Sequence, residues 1–411
     1  MSSVNGELKF ERTIPAKPED VYYAVSTSQG WRDWLVDAAY FRAQPGGSFH
    51  LSWDTGWYSS GTVEALEKPG KVTLEWRGKE APSATKVAIR LESEGEATAF
   101  SLVHSGFGEG EAWDASREMA ASGWKIGLEN LESIFDTGAD LRVTRRPMLG
   151  VMGNDFNEEI AASISVPVSE GYRLADVVEG MGAEKVGLQG DDVIVEMDGS
   201  PVRTWEDIGP ILQRKQAGDL VDVVFYRGSE KNGVEMELSG RPIPDTPLDP
   251  AAFAQEYRKI AADITNELRG ALEGVSEAEA EFTDAEAWSV KENIAHLIVG
   301  EEWYLFYLTE LIVDSVAQYS GTWENRREQL RAVVRVTPTV EQLVQRLENA
   351  FEQTCCLLEE AAQTLGARKG VMWQLGIWWL QLPGAHEREH IEQIKKDLEK
   401  IRAAEPEPAA P

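Results

Sequence analysis

The sequence predicts a multidomain α+β chain that closes in an all-α four-helix bundle, and three observations carry this. At 411 residues the chain is longer than one ordinary hydrophobic core serves, so about two to four domains are expected. Pro-rich breaks fall around Arg145-Arg146-Pro147 and across 240–250, where GRPIPDTPLDP supports no regular element. The apolar residues alternate in short runs before the second break and recur at helical spacing after it. The expected divisions are 1–142, 143–242, a linker at 243–250, a bundle at 251–404 and a disordered tail at 405–411.

Composition bounds the partners. Hydrophobic residues make up 42% and charged residues 27%, which is ordinary globular usage. Acidic residues number 70 against 40 basic ones, a formal net charge of -30. A surface that acidic repels phosphate backbones and anionic headgroups, so neither nucleic acid nor membrane is an expected partner. The first residues show no basic region followed by an apolar run. No stretch approaches the ~18 uninterrupted apolar residues of a membrane helix. Cys355 and Cys356 are adjacent in a helical pattern and close no loop by a disulfide, so they read as small apolar helix residues. A cytoplasmic location is expected.

The first piece opens with a strand-like run over 8–14, and Pro18-Glu19-Asp20 then starts a short helix with Val21, Ala24 and Val25 at helical spacing. Short alternating runs follow, punctuated by Gly46-Gly47, Pro69-Gly70 and Glu94-Gly95, as in an antiparallel meander. A long helix is expected from about Trp113 to Phe135. Strand, helix, meander and long helix is the order of the helix-grip, or START-like, fold. Trp31-Arg32-Asp33-Trp34, Pro45-Gly46-Gly47-Ser48-Phe49, Gly61-Thr62-Val63-Glu64, His104-Ser105-Gly106-Phe107 and Gly123-Trp124 stand in the order seen in SRPBCC proteins. The segment most resembles their activator of Hsp90 ATPase homologue branch. The resemblance implies a cavity for a small hydrophobic ligand, with Trp34, Trp53, Trp57, Trp76 and Trp124 as candidate lining and plain core packing as the competing reading. His50 and His104 have no second ligand at metal-like spacing and read as hydrogen-bonded structural residues.

In the second piece, a short helix around Ala183 to Val186 ends at Gly187, Gly190-Asp191-Asp192 turns into a strand, and Asp198-Gly199 is a tight-turn signal. This β-rich stretch resembles a PDZ domain in the permuted arrangement of HtrA-type bacterial proteases. The resemblance implies capture of a peptide or protein C-terminus, with Leu149, Gly150 and Val151 as the carboxylate-binding loop. The segment from Asn154 to Val168 is longer and more polar than that pattern, which leaves a spacer role open.

The last piece is helical throughout, in four expected helices. Tyr257, Ile260, Ile264 and Leu268 mark the first. Ser289 with Glu292 is a capping-box pattern for the second, and Thr339 opens the third, expected to about Leu365. The fourth is expected from about Val371 to Lys400, kinked at Pro383. His386 and His390 lie one turn apart on one face, and His296 lies on the inward side of the second helix. Three imidazoles from two packed helices suit a divalent transition metal. Together with Trp288-Ser289-Val290-Lys291-Glu292, the triad resembles the DinB-like four-helix metalloproteins. That resemblance implies His296, His386 and His390 as ligands of zinc or nickel, with iron as an alternative. Glu292 is a candidate base that equally reads as a cap, and Trp373, Trp378 and Trp379 are candidate walls of the site that read more plainly as bundle core.

Three nitrogen ligands leave open positions, the arrangement of catalytic sites. The resulting expectation is a metal-dependent enzyme acting on a small electrophile through a thiol or water, beside a ligand-binding domain and a PDZ module. The alternative is a non-enzymatic stress-response or regulatory adaptor in which the metal is structural.

Overall fold

The computed structural model describes residues 6–241, 243, 245–283, 287–313, 326–380 and 384–404. The chain forms two compact units. One combines Met1–Ala139 with Pro244–Pro411, and the other is Asp140–Ile243. The expected tail at 405–411 and Pro383 lie outside the described residues. Among the described residues no helix is long and apolar enough to cross a membrane.

The first unit begins with β1 (Leu8–Ile14), α1 (Pro18–Ser26) and α2 (Ser28–Trp34). Alternation places Leu8, Phe10 and Ile14 inward on β1. The Thr27 side chain accepts from the Gly30 N–H and so caps α2. A meander follows: β2 (Ala38–Phe41), β3 (Ser48–Ser52), β4 (Tyr58–Glu67), β5 (Lys71–Gly78), β6 (Thr85–Glu94) and β7 (Ala97–Ser105). Each strand pairs antiparallel with the next, and β1 returns to pair with β7, giving the order β1-β7-β6-β5-β4-β3-β2. The long helix α3 (Glu111–Thr137) buries Trp124, Leu128, Leu131 and Ile134 in the same core as the sheet. This is the expected helix-grip fold. At Gly138 a φ of +79° closes α3, a conformation that glycine adopts without strain.

The second unit contains α4 (Leu141–Thr144), β8 (Val151–Asn154), α5 (Glu158–Ser163), β9 (Tyr172–Val177), α6 (Gly182–Lys185), β10 (Val193–Met197), β11 (Ser200–Pro201), α7 (Trp205–Leu212), β12 (Leu220–Arg227) and β13 (Glu230–Glu237). Its sheet runs β13-β12-β10-β9-β8, with β11 on β10. The turn from β10 to β11 has positive φ at both Asp198 and Gly199, matching the Asp-Gly signal. The polar segment after β8 forms α5, capped by Asn157 and anchored by buried Ala161 and Val166.

The bundle comprises α8 (Pro250–Ala271), α9 (Glu277–Glu281), α10 (Val290–Ile312), α11 (Arg327–Val336), α12 (Val340–Glu360), α13 (Ala362–Gly366), α14 (Lys369–Trp379) and α15 (Ala385–Ala404). Helices α8 and α10 each pack against both α12 and α15. The single fourth helix expected from Val371 to Lys400 is two helices. Leu380 closes α14 on the Gly376 carbonyl, and Gly384 adopts φ +69° just ahead of α15. The third helix likewise breaks at Ala361, and α11 went unanticipated. Within the expected linker, Leu248 packs against the bundle core and Thr246 against Gly376.

The helix-grip part and the bundle meet at the start of α14. Arg368 pairs with Asp33 at 3.2 Å and lies over the Tyr23 ring. Next to it, Lys369 donates to the Phe135 carbonyl at the end of α3, where helix carbonyls lack internal partners.

Candidate metal centre

The site is built from the N-terminal end of α10. Ser289 accepts from the Glu292 N–H, and the Glu292 carboxylate accepts from the Ser289 N–H, the expected capping box. Glu292 also pairs with Arg327 at 2.9 Å and Arg331 at 3.1 Å. Burial pushes its carboxyl up, but hydrogen bonds from Arg327, the Ser289 backbone and Arg331 outweigh this and hold it below the usual range. Both carboxylate oxygens are therefore engaged in the cap and its arginines.

One turn later the same helix presents His296, buried at 5% exposure. Helix α15 runs past it and brings His386 and His390 to the same point. The His296 and His386 Nε2 atoms are 3.0 Å apart. The ring centroids of His390 lie 4.4 Å from those of His296 and 4.7 Å from those of His386. One nitrogen from each imidazole lies within 4.8 Å of the others. Two nitrogen ligands of a tetrahedral zinc at ~2.0–2.1 Å stand ~3.3 Å apart, so this donor set fits one divalent ion after small adjustments.

Neighbouring groups prepare the rings. His390 Nδ1 lies 3.1 Å from Asn293 Oδ1, while Asn293 Nδ2 donates to the Ser289 carbonyl. The amide orientation makes His390 Nδ1 the donor and leaves Nε2 as the free lone pair, the tautomer a ligand needs. Burial, then the neighbouring His296 and His386, pull the His390 pKa down to about 4, so its neutral form prevails at pH 7. Trp288 stacks on His390 and leans on His296. Asn293 was not singled out from the sequence; its signal is an amide beside apolar Ile294, one turn before the histidine pair's contact. Trp373 and Trp379 are buried, whereas Trp378 is 44% exposed, its ring tilted against Tyr307.

The other candidates sit elsewhere. Trp34, Trp76 and Trp124 are buried in the helix-grip core, with Trp53 packed against it and Trp57 near Gly78. Their indole N–H groups are partly used by the protein itself: Trp34 donates to the Ala24 carbonyl, Trp53 to Leu35 and Trp124 to His104. His104 is hydrogen-bonded as expected, and His50 is exposed beside Tyr58. Leu149 is buried in the second unit's core, and Gly150 has φ +74° with Met181 packed where a Cβ would stand. Val151 starts the edge strand β8. Among the described residues, neither the Leu149 nor the Gly150 N–H donates a hydrogen bond, although both residues are buried.

With a helix-grip domain, a five-stranded PDZ-type path and a histidine-bearing bundle in place, the chain is a multidomain protein whose described residues include a three-histidine cluster that could hold a metal ion. Comparison with known proteins assigns each part. The model of the activator of Hsp90 ATPase homolog 1-like proteins matches residues 15–136, that of the PDZ domain residues 147–238, and that of the DinB superfamily residues 260–394. The chain thus carries an activator of Hsp90 ATPase homologue-like domain, a PDZ domain and a DinB-like domain. A probable periplasmic serine endoprotease DegP-like protein of Marinomonas sp. is 31% identical over 113 residues, 28% of this chain and 23% of that protein. A probable periplasmic serine protease do/HhoA-like protein of Haemophilus influenzae is 28% identical over 94 residues, 23% of this chain and 20% of that protein. The chain spans about a fifth to a quarter of these relatives, which fits a shared HtrA-like PDZ segment. Among solved structures, the Aha1 dimer from Colwellia psychrerythraea is 21% identical, covering 32% of this chain and 96% of that one, with a TM-score of 0.28. An HSP90 activator from Plasmodium falciparum is 20% identical with the same coverages and a TM-score of 0.29.

Proposed function

We propose that the chain is a metal-dependent enzyme whose bundle holds a divalent transition ion on His296, His386 and His390. The observation that supports this is the convergence of three imidazole nitrogens within 4.8 Å from two helices. Zinc or nickel suits three neutral nitrogens best, with iron as the alternative. Such an ion supplies a Lewis-acid position that makes a bound water or thiol nucleophilic near neutral pH. The protein's own residues hold the rings: Asn293 sets the His390 tautomer, Trp288 walls the site, and Glu292 fixes the helix end that carries both. The reaction is transfer of a thiol or of water to a small electrophile. A small hydrophobic ligand of the helix-grip domain and a cytoplasmic location belong to the same reading; the buried Cys355 and exposed Cys356 are both free. Protein purified without chelator should carry about one divalent ion per chain by elemental analysis. The His390→Ala variant should carry little, and full occupancy in it would remove the site.

A second role rests on a separate observation. The Leu149 and Gly150 N–H groups, which donate no hydrogen bond among the described residues and stand beside the open edge of β8, support capture of a C-terminal carboxylate by the PDZ unit.

A further inference from the structure

The bundle core carries a polar layer that the triad does not use. At one level of the core, the inward stripe of each main helix is interrupted by a polar side chain. On α8 it is Tyr257 between Phe253 and Ala261, and on α10 it is Glu301 between Ile298 and Leu308. On α12 it is Thr354 between Phe351 and Leu358, and on α15 Glu387 precedes Ile391 and Ile394 at the same spacing. These positions meet. The Tyr257 hydroxyl donates to one Glu301 oxygen at 2.7 Å; the Thr354 hydroxyl, 2.5 Å from the other, donates to it when it is charged and can accept from it when it is protonated by turning its own proton to the Ala350 carbonyl at 3.3 Å. Glu387 acts on Glu301, Tyr257 and Tyr304 through space.

Glu301 is 3% exposed, and among the described residues no lysine or arginine pairs with it or with Glu387. A buried carboxyl without a cationic partner is costly in its charged form. The groups facing it are Tyr257 from α8, Tyr304 from α10, Cys355 from α12 and Glu387 from α15, and none is a cation. Burial pushes its carboxyl up to about 7, Thr354 and Tyr257 pull it down, and Glu387 adds to the rise. The missing positive charge has an evident source. Glu301 stands five residues after His296 on one helix, about 7.5 Å along its axis, and Glu387 adjoins His386. Three neutral imidazoles would leave the full double charge of an ion uncompensated at that end of the core.

We propose that Glu301 is the proton-exchanging counter-charge of the three-histidine site. It holds a proton while the site is empty and ionises when a divalent cation binds, giving that proton to solvent and leaving a carboxylate to offset the cation. Glu301 is a positioning residue in this scheme, since it touches no ligand atom of the site. The inference rests on the triad reading above.

The experiment follows carboxyl protonation in the full chain at pH 6.5, first stripped of metal and then titrated with zinc. The metal-free protein should show a protonated-carboxyl C=O stretch in the infrared that Glu301→Gln lacks, and zinc should abolish it. Zinc should also release up to about one more proton per ion from the wild type than from the variant, and the variant should bind zinc about 10-fold or more weakly. Tyr257→Phe, which keeps the carboxyl in place but removes a donor to its charged form, should carry the band to higher pH. Zinc bound with the band unchanged, or equal proton release from wild type and Glu301→Gln, overturns the inference and leaves the triad standing. No zinc uptake by the wild type removes the triad and the inference together.

Discussion

Single residues in this chain derive their chemistry from what they face. His104 shows this apart from the metal site. Thr85 gives its hydroxyl proton to the Trp76 carbonyl, so His104 Nε2–H donates to Thr85 Oγ1, and His104 Nδ1 accepts from the Trp124 indole. A second ring proton would point at the Trp124 N–H. Burial lowers the pKa to about 3. Above about pH 6.5 neither the folded nor the unfolded chain protonates this ring. Below it the unfolded chain takes up a proton that the folded one refuses, so stability is lost as pH falls from 6.5 towards 3. The loss is about 1.4 kcal/mol per pH unit across that window. The His104 imidazole should therefore stay neutral at pH 5 by NMR, while unfolding free energy falls between pH 6.5 and pH 5. A ring titrating near 6.5 in the folded chain would contradict the network.

Elements position these residues through their ends and edges. The cap of α10 is the clearest case, because Ser289 closes the helix with its hydroxyl and orients Asn293 with its carbonyl. In the PDZ unit the corresponding feature is an edge. Among the described residues strand β8 pairs only with β9, so its outer side offers a peptide strand the backbone groups that β-addition needs. The loop before it supplies the Leu149 and Gly150 N–H groups, which donate no hydrogen bond among the described residues. Peptides with a free C-terminal carboxylate should bind the full chain, and amidated copies should bind at least about 10-fold more weakly, read by fluorescence anisotropy of labelled peptides. Equal binding of both forms would assign the edge to another use. Competition with α5, the segment inserted after β8, would instead appear as no binding of either.

At the scale of the molecule, the first and last family segments share one compact unit although the PDZ segment separates them in sequence. The geometry that permits this lies at Gly138, where a Cβ would meet the Lys369 carbonyl oxygen at 3.0 Å and Leu248 at 3.1 Å. The chain therefore leaves the first unit and re-enters it at neighbouring points, as at tolerated domain insertions. Replacing residues 140–243 with a short Gly/Ser linker should leave a folded protein that still takes up about one divalent ion per chain. Arg368→Ala in that shortened chain removes the ion pair with Asp33 and the contact over Tyr23. It should split one thermal transition into two in calorimetry. A single unchanged transition would mean that Arg368 contributes little to the union.

Much was legible beforehand because it depends on local pattern. Alternation over 8–14 and 98–104, the Asp198-Gly199 turn, the Ser289–Glu292 box and the turn spacing of His386 and His390 follow from rules of period and backbone geometry acting within a few residues. Motif order then indicated three architectures and the triad. Tertiary structure alone decided the rest. Helical periodicity runs on through the end of α14, and Pro383 predicted a kink in one helix rather than its division into two after Trp379. Glu301 reads as one more surface charge until Tyr257 and Thr354 arrive from helices 44 and 53 residues away. The union of the helix-grip part with the bundle likewise depends on Asp33 and Arg368, 335 residues apart. Such contacts are set by how packed faces meet, and a chain read in order carries no signal of which distant side chain will complete a buried charge.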